Sequence, residues 1–308
     1  MGKFKGYILA AFAAAAYGTN PAFAIPLYEE GMNPNSVLLF RYCIGVPLLA
    51  LLMVARGLDF KLKRSELIPV FALGILMALS SLTLFESYNY MNSGIASTLL
   101  FVYPVMVAVI MTFFFKERFK SSLVICFLFM GFGLLLLMRP DGNQGINAFG
   151  FLLVMMSALT YAIYIVLVNG SKAVSRIPTT KLLFYVLIFG SSVFFFKIAI
   201  GTELTLPTLS TGWYNLVALA IIPTILSLAC TSAAIHIIGS TPTAIFGALE
   251  PVTAVVLSVV FLGQPITAQE IIGSGLIVVA TTIVVTGNSV DRVILRVRKM
   301  FPKNLIQK

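Results

Sequence analysis

Residues 240–264 read STPTAIFGALEPVTAVVLSVVFLGQ, an apolar stretch of membrane-spanning length in which Glu250 is followed at once by a proline. A carboxylate inside a bilayer costs about 2.5–3.5 kcal/mol on insertion scales. Shifted by 147 residues, without gaps, the stretch aligns with SGIASTLLFVYPVMVAVIMTFFFKE at 93–117. The two prolines coincide, and Tyr103 lies over Glu250. The chain therefore contains an internal repeat that shares the proline and not the acid.

The composition is that of a membrane protein. Of 308 residues, 59% are hydrophobic and only 10% are charged, and the mean hydropathy is +1.00. A soluble protein needs far more charge to cover its surface, whereas runs of about 20 apolar residues match a bilayer core. We predict an all-α polytopic membrane protein with ten transmembrane helices. The predicted spans are 6–28, 35–55, 66–87, 94–115, 122–138, 147–168, 181–200, 213–236, 242–262 and 269–287.

The basic residues predict how the spans are oriented. Eighteen lysines and arginines fall in the N-terminus, alternate loops and C-terminal tail, against two in the opposite loops. Because cytoplasmic loops are enriched in basic residues, we predict both termini to be cytoplasmic, in the inner membrane of a bacterial cell. Topology thus accounts for the net charge of +10, and no nucleic-acid partner is predicted. Residues 289–308 form a basic tail that either lies on anionic membrane lipid, a predicted partner, or serves only to set the topology.

The first span has a counterpart in the second half, which argues against a cleaved signal peptide. GYILAAFAAAAYG at 6–18 aligns with GFLLVMMSALTYA at 150–162. We therefore divide the chain into a first five-helix repeat, 1–143, and a second, 144–288. Because five is an odd number, the halves are predicted to be inverted, an architecture of secondary transporters. A duplicated static scaffold is the alternative.

Three motifs connect this pattern to a known family: FRYCIGVPLLALL in span 2, YPVMVAVIMTFFFKERF in span 4 and LEPVTAVVLSVVFLGQPI in span 9. With its ten spans, the chain resembles the drug/metabolite transporter superfamily, and within it the EamA-type permeases. The resemblance implies an export permease or facilitator for small polar metabolites, often amino acids. It also implies a central cavity lined by spans 1, 3, 4, 6, 8 and 9. The family often ends spans 4 and 9 with Gly-Glu, where this chain has Lys116-Glu117 and Gly263-Gln264, so a role for the second carboxylate does not carry over.

Glu250 is predicted to lie about 13 Å inside span 9, near the membrane midplane. Such an acid faces a cavity, has a partner or carries a proton. One interpretation is a contact for a substrate ammonium group or a site of proton coupling, with protons as a further partner. The other is a structural glutamate, protonated or paired within the helix bundle.

Three prolines inside spans, Pro21, Pro104 and Pro251, remove backbone donors from the bilayer core. Freed carbonyls persist there only where protein or cavity water satisfies them. We predict hinges that line a shared cavity, with static kinks as the alternative.

Arg41 lies inside span 2 and has two predicted positions. It pairs with Glu250, about 8 Å away along the membrane normal, or its long side chain reaches the outer interface. Glu86 and Asn89 share one face of span 3. They line an outer vestibule or the interface.

Spans 1 and 6 carry polar and aromatic residues with the same three-residue spacing, and Tyr103 is added by span 4. They are predicted to line an aromatic, hydrogen-bonding pocket, with ordinary core tyrosines as the alternative. The pocket residues are Tyr17, Asn20, Tyr103, Tyr161 and Tyr164. Thr224, Ser227 and Thr231 share a face of span 8, and such hydroxyls more often serve helix packing than binding.

The sequence carries no cofactor motif and predicts no metal site. Its single histidine, His236, and its three cysteines within apolar runs form no ligand cluster. Signatures such as His-Glu-x-x-His and Gly-x-Ser-x-Gly do not occur. We predict a secondary transporter, not an enzyme, that exports a small-molecule substrate by alternating access. A flippase for a lipid-linked carrier and a facilitator or uptake permease of the same fold are the alternatives.

Overall fold

The structure is a computed structural model that describes residues 2–114, 121–138, 147–171, 173–174, 176–238, 243 and 246–285. The basic tail at 289–308, Lys116-Glu117 and the side chain of His236 lie outside this description. All regular elements in the described ranges are helical, and each of the ten predicted spans overlaps one or two helices. The predicted all-α polytopic fold is confirmed.

We number the helices α1–α10, with a and b for the two parts of an interrupted helix. They are α1a Gly2–Gly18, α1b Asn20–Glu29, α2 Pro34–Ala55, α3 Arg64–Ser87, α4a Ser93–Leu100, α4b Tyr103–Phe114, α5 Ser121–Met138, α6 Ala148–Gly170, α7 Thr179–Ala199, α8a Ser210–Ala220, a π-helical turn Ile221–Leu226, α8b Ser227–Ile238, α9 Leu249–Val260 and α10 Ala268–Val285. Seven stretches of the described chain, in α1 to α4 and α6 to α8, are long and apolar enough to cross a membrane. α5 adds 18 residues without a charge, and α9 and α10 contain shorter apolar segments.

Asparagines begin three helices on one side of the membrane. Successive spans alternate in direction, so odd-numbered helices begin on the side where α1 begins, called the N side here. α2, α4a and α6 begin on the opposite side, where the side-chain oxygens of Asn33, Asn92 and Asn147 each accept a 2.8 Å backbone hydrogen bond. These caps satisfy N–H groups that a helix start leaves unpaired.

Two helix pairs between the halves repeat the same contact. α8 packs against α1, and α3 packs against α6. Ser227 Oγ donates to Ala13 O at 2.8 Å, and Ser80 Oγ donates to Ser157 O at 3.1 Å. Ser227 corresponds to Ser80 by the shift of 147, and Ala13 corresponds to Ser157 in the alignment of 6–18 with 150–162, which is a shift of 144. The two halves therefore pack on each other through equivalent residues.

Matched glycines repeat a second contact of these pairs. A Cβ on Gly6 would lie 2.8 Å from Ile237, and one on Gly150 would lie 2.9 Å from Tyr90. Ile237 and Tyr90 are themselves 147 positions apart in the sequence. Only glycine allows these close approaches between helices. The fold is built from two related halves.

Two loops are fastened to helix starts at equivalent positions on opposite sides of the membrane. On the N side, Arg56 donates to Thr180 Oγ1 at 3.0 Å. On the opposite side, Asn33 Nδ2 donates to Glu203 O at 2.8 Å. The repeat shift of 147 relates Arg56 to Glu203 and Asn33 to Thr180. Both loops thereby hold the start of a helix from the other half.

The N-side fastening also contains an ion pair. Lys181 Nζ lies 2.7 Å from Asp59 Oδ1 and donates to Lys61 O at 2.7 Å. The hydrogen bond from Lys181 holds the pKa of the Asp59 carboxyl below its usual value. The Asp59 carboxylate therefore stays charged at neutral pH.

Some of the helices in the described chain are interrupted. α3 and α6 run without interruption, whereas α1 breaks at Thr19, α4 breaks at Phe101–Val102 and α8 contains the π-helical turn. A turn at Gly247–Ala248 precedes α9. The prolines predicted as hinges all lie in the first turn of the segment that follows a break. They are Pro21, Pro104 and Pro251. Each begins a new segment, where a missing N–H is tolerated, and none kinks a continuous helix.

Candidate functional site

A cavity of about 750 Å³ lies between the two halves. The six spans implied by the sequence resemblance all contribute to its wall, and α2 and α7 add one residue each. Most of the wall is apolar. Arg41 and Glu250 are the charged residues among the described lining residues. The cavity thus brings one cation and one anion into an apolar, aromatic space.

Most predicted site residues line this cavity. They are Tyr17, Arg41, Tyr103, Pro104, Tyr161, Tyr164 and Glu250. Asn20, Pro21 and Pro251 are buried behind the wall. Glu86 and Asn89 do not line it: Glu86 lies 3.5 Å from Lys197 in an ion pair, and Asn89 is exposed at the end of α3.

Tyrosines of α4 and α6 form an aromatic wall. The Tyr103 and Tyr161 rings meet edge to face with centroids 4.7 Å apart. Tyr164 lies parallel to Tyr161 at 5.8 Å, and Phe101 meets Tyr103 edge-on at 5.9 Å. Such rings present both apolar faces and hydroxyl groups to a ligand. Phe101 is a lining residue that the sequence analysis did not identify.

Glu250 is placed in the cavity by the turn before α9. Its backbone N–H donates to Gly247 O at 3.0 Å. A Cβ on Gly18 would lie 2.5 Å from Glu250 O, so the end of α1a packs directly on this turn. Among the residues that the structure describes, none donates a hydrogen bond to the Glu250 carboxylate or forms an ion pair with it. The carboxylate therefore faces the cavity without an internal partner from the described chain.

Arg41 occupies neither of its two predicted positions. It is 5% exposed, so it does not reach an interface. Its guanidinium donates to Thr224 Oγ1 from Nε and to Asn20 Oδ1 from NH1, both at 3.0 Å. Its Cζ lies 5.7 Å from the centroid of the Phe85 ring. The partners of Arg41 are neutral groups of three other helices.

The Asn20 contact repairs a proline break in α1. Pro21 has no N–H with which to bond the carbonyl of Tyr17, four residues earlier. Asn20 Nδ2 donates to that carbonyl at 2.8 Å. The oxygen of the same side chain accepts from Arg41. Asn20 thus connects the freed carbonyl to the guanidinium.

The Thr224 contact repairs a break in α8 in the same way. Pro223 cannot bond the carbonyl of Leu219, and the hydroxyl of Thr224 donates to that carbonyl at 3.1 Å. The same hydroxyl accepts from Arg41. Arg41 therefore joins two proline breaks in two helices. We call Asn20, Arg41 and Thr224 the arginine clamp.

The sequence analysis named all three clamp residues but did not predict that they contact one another. Thr224 is better explained by its contacts with Arg41 and Leu219 than by the predicted helix packing. A signal exists in the sequence: a polar residue is adjacent to a proline within both spans, at Asn20-Pro21 and at Pro223-Thr224.

The side opposite the N side is closed by polar contacts. Ser93 donates from its backbone and its hydroxyl to Gln264 Oε1, at 3.1 and 2.9 Å. Asn92 Nδ2 donates to Pro265 O at 3.0 Å, and Tyr28 OH donates to Phe85 O at 3.1 Å. Gln264 is the residue that replaces the family's glutamate, and its amide oxygen caps α4a. The cavity residues of α1a, α4b and α8b lie on the N-side half of the bundle.

Comparisons with known proteins agree with a chain built from two related halves. The sequence profile of the EamA-like transporter family matches the chain twice, at residues 4–139 and 148–286. The chain belongs to the EamA-like transporter family. Each half of this EamA-family chain carries one match, as expected for two related halves.

Similar proteins are also named as transporters. An uncharacterized transporter of Archaeoglobus fulgidus is 25% identical over 289 residues, which cover 91% of this chain and 99% of that protein. The uncharacterized transporter YdfC of Bacillus subtilis is 25% identical over 276 residues, or 88% and 85% of the two chains. A solved structure shares the fold with a TM-score of 0.66 and 18% identity, over 96% of this chain and 99% of its own. The EamA-family chain is a multi-pass membrane transporter.

Proposed function

We propose that this EamA-family transporter exports small polar metabolites, amino acids or related compounds, by alternating access with proton coupling at Glu250. The observation that carries the proposal is a carboxylate in the cavity wall that has no internal partner among the described residues. An acid in this setting binds a cationic group or exchanges a proton with the cavity. Transport by either reaction requires that Glu250 is accessible from the two sides of the membrane in turn.

Alternating access is supported by the relation between the halves. We propose inverted repeats at 1–143 and 144–288, because each contains five spans and equivalent residues pack α1 on α8 and α6 on α3. Inverted halves give two packings that open to opposite sides. We assign the N side to the cytoplasm of a bacterial cell from the basic residues on that side. With this assignment, the polar contacts of Asn92, Ser93 and Tyr28 lie on the outer side of the membrane.

The size of the cavity favours a small metabolite over a lipid-linked carrier. A volume of about 750 Å³ lies within the range of roughly 300–1,000 Å³ that is usual for small-molecule sites. The tyrosine wall offers ring faces and hydroxyls at short range. These features suit a compact polar solute better than a long lipid.

Flux measurements with purified protein in liposomes test the proposal. A panel of radiolabelled amino acids is followed in efflux driven by a proton gradient and in exchange without a gradient. We expect gradient-driven efflux to fall about tenfold or more in Glu250→Gln while exchange continues, because exchange needs no net proton movement. Glu29→Gln, at an exposed acid at the end of α1b, is the matched control.

The outcomes separate the parts of the proposal. Loss of both efflux and exchange in Glu250→Gln would assign the acid to the substrate's cationic group and remove proton coupling. An unchanged proton dependence in Glu250→Gln would contradict any coupling at this residue. Wild-type liposomes that move no compound of the panel would contradict the export of amino acids.

A further inference from the structure

We propose that Arg41 binds the anionic group of the substrate, a carboxylate or a similar monoanion, and that this binding loosens the arginine clamp. The inference rests on the proposed transport through the cavity. It assigns the chemical class of one end of the substrate and a role for the two proline breaks.

Arg41 is a buried cation without a counterion in the described chain. Its described partners are the neutral oxygens of Asn20 and Thr224 and the ring of Phe85. The ion pairs of the described chain are formed by Lys181 and Lys197 instead. An arginine stays protonated in proteins, and a buried charge is costly unless it is paired. Glu250 lines the same cavity, but no ion pair joins it to Arg41 among the described residues, so the guanidinium is left to bind an anion of the substrate.

The guanidinium has donors left for that anion. It carries five N–H groups, and contacts with Asn20 and Thr224 use one on Nε and one on NH1. The described residues provide no hydrogen-bond acceptor for NH2, and Arg41 lines the cavity. A planar guanidinium edge binds a carboxylate through two parallel hydrogen bonds. A ligand in the cavity can thus reach unused donors of a residue that is already held in place.

The position of Arg41 couples this binding to the helix breaks. An anion that draws the guanidinium into the cavity weakens its bonds to Asn20 and Thr224 together. These side chains hold the interrupted segments of α1 and α8. Phe85, below the guanidinium, is hydrogen-bonded through its carbonyl to Tyr28 on the closed side. Phe85 therefore connects Arg41, which binds the substrate, to a hydrogen bond on the closed side.

Binding of matched carboxylates and amides to purified full-length protein in nanodiscs tests the inference. The probes are acetate, benzoate and phenylalanine, each against the counterpart in which a neutral amide replaces the carboxylate: acetamide, benzamide or phenylalaninamide. Trp213, the single tryptophan, reports binding by fluorescence because its ring lies 5.8 Å from that of Phe40, the neighbour of Arg41. Thermal unfolding provides a second readout of binding.

In the wild type we expect at least one carboxylate to bind about tenfold or more tightly than its amide, as hydrogen bonds to a charged group imply. The ratio should fall to about one in Arg41→Gln and recover in part in Arg41→Lys. Arg56→Gln, at a basic residue outside the cavity, should keep the wild-type ratio. Circular dichroism of each variant verifies that it is folded.

Equal binding of carboxylates and amides to the wild type would overturn the inference, as would a preference that survives in Arg41→Gln. Flux in liposomes without a carboxylate preference would leave the proposed export in place and remove the anion site. A carboxylate preference without flux of any compound would leave the anion site in place and contradict the proposed export.

Discussion

The helix pairs α1–α8 and α3–α6 occupy equivalent places in the repeat, yet they differ in their backbones. Both pairs are joined by a serine that donates to a carbonyl of the partner helix. α3 and α6 are continuous, while α1 and α8 are interrupted beside a proline. Equivalent packing thus supports two different kinds of helix.

The difference lies in a few residues in and behind the cavity wall. Tyr164, Ile165 and Met77 occupy the positions that correspond to Asn20, Pro21 and Thr224. All three line the cavity, and of the three only the tyrosine hydroxyl is a strong acceptor for a guanidinium N–H. Arg41 also has no basic counterpart in the second half. A duplicated scaffold therefore carries a single clamp, and we expect local rearrangement in α1–α8 and rigid-body movement in α3–α6.

Replacing the prolines at the two breaks should have the largest effect on flux. Pro21→Ala and Pro223→Ala each restore an N–H to the carbonyl that a clamp side chain now satisfies. The new backbone hydrogen bond contributes about 0.5–1.5 kcal/mol, so the thermal unfolding temperature should be maintained or rise. Flux in liposomes should fall about tenfold or more, because a continuous helix no longer rearranges at this point.

The control for these variants is Pro47→Ala. Pro47 lies inside α2, is exposed and does not line the cavity. Its replacement should leave flux unchanged. Flux at the wild-type level in Pro21→Ala and Pro223→Ala would show that the breaks are static features of the bundle.

Removing the clamp side chains should have a smaller effect on flux and stability. This effect should still be larger in the α1–α8 pair than in the α3–α6 pair. Asn20→Ala and Thr224→Ala each leave a carbonyl and a guanidinium N–H unsatisfied, at a cost of about 1–3 kcal/mol. Ser80→Ala removes a hydrogen bond of the regular pair, for which about 0.6 kcal/mol is typical within membranes. Flux and thermal unfolding of the three variants provide the comparison. If Ser80→Ala lost as much stability and flux as Asn20→Ala and Thr224→Ala, the distinction between the two helix pairs would be contradicted.

Much of the fold and part of the site could be predicted from the sequence. Hydropathy located the ten helices, because each span must carry its own apolar length. The repeat alignment placed the tyrosines and Glu250 in corresponding spans, and the structure collects these residues around one cavity.

The clamp could not be predicted because it depends on which helices are neighbours. Arg41 and Thr224 are 183 residues apart, and hydropathy gives no information on whether spans 2 and 8 touch. An arginine near a span end was therefore assigned to the interface or to the most conspicuous acid. The break in α8 was hidden for a similar reason, since Pro223 lies in an otherwise ordinary apolar run.

Hydrogen–deuterium exchange of full-length protein in nanodiscs tests the clamp most directly. In Arg41→Gln, we predict faster exchange, by about tenfold or more, in two distant segments at once, 17–22 and 219–226. The equivalent segments of the regular pair, 72–79 and 161–166, should keep their wild-type rates. Faster exchange in only one of the clamp segments, or equal changes in both helix pairs, would contradict an arginine that holds two breaks together.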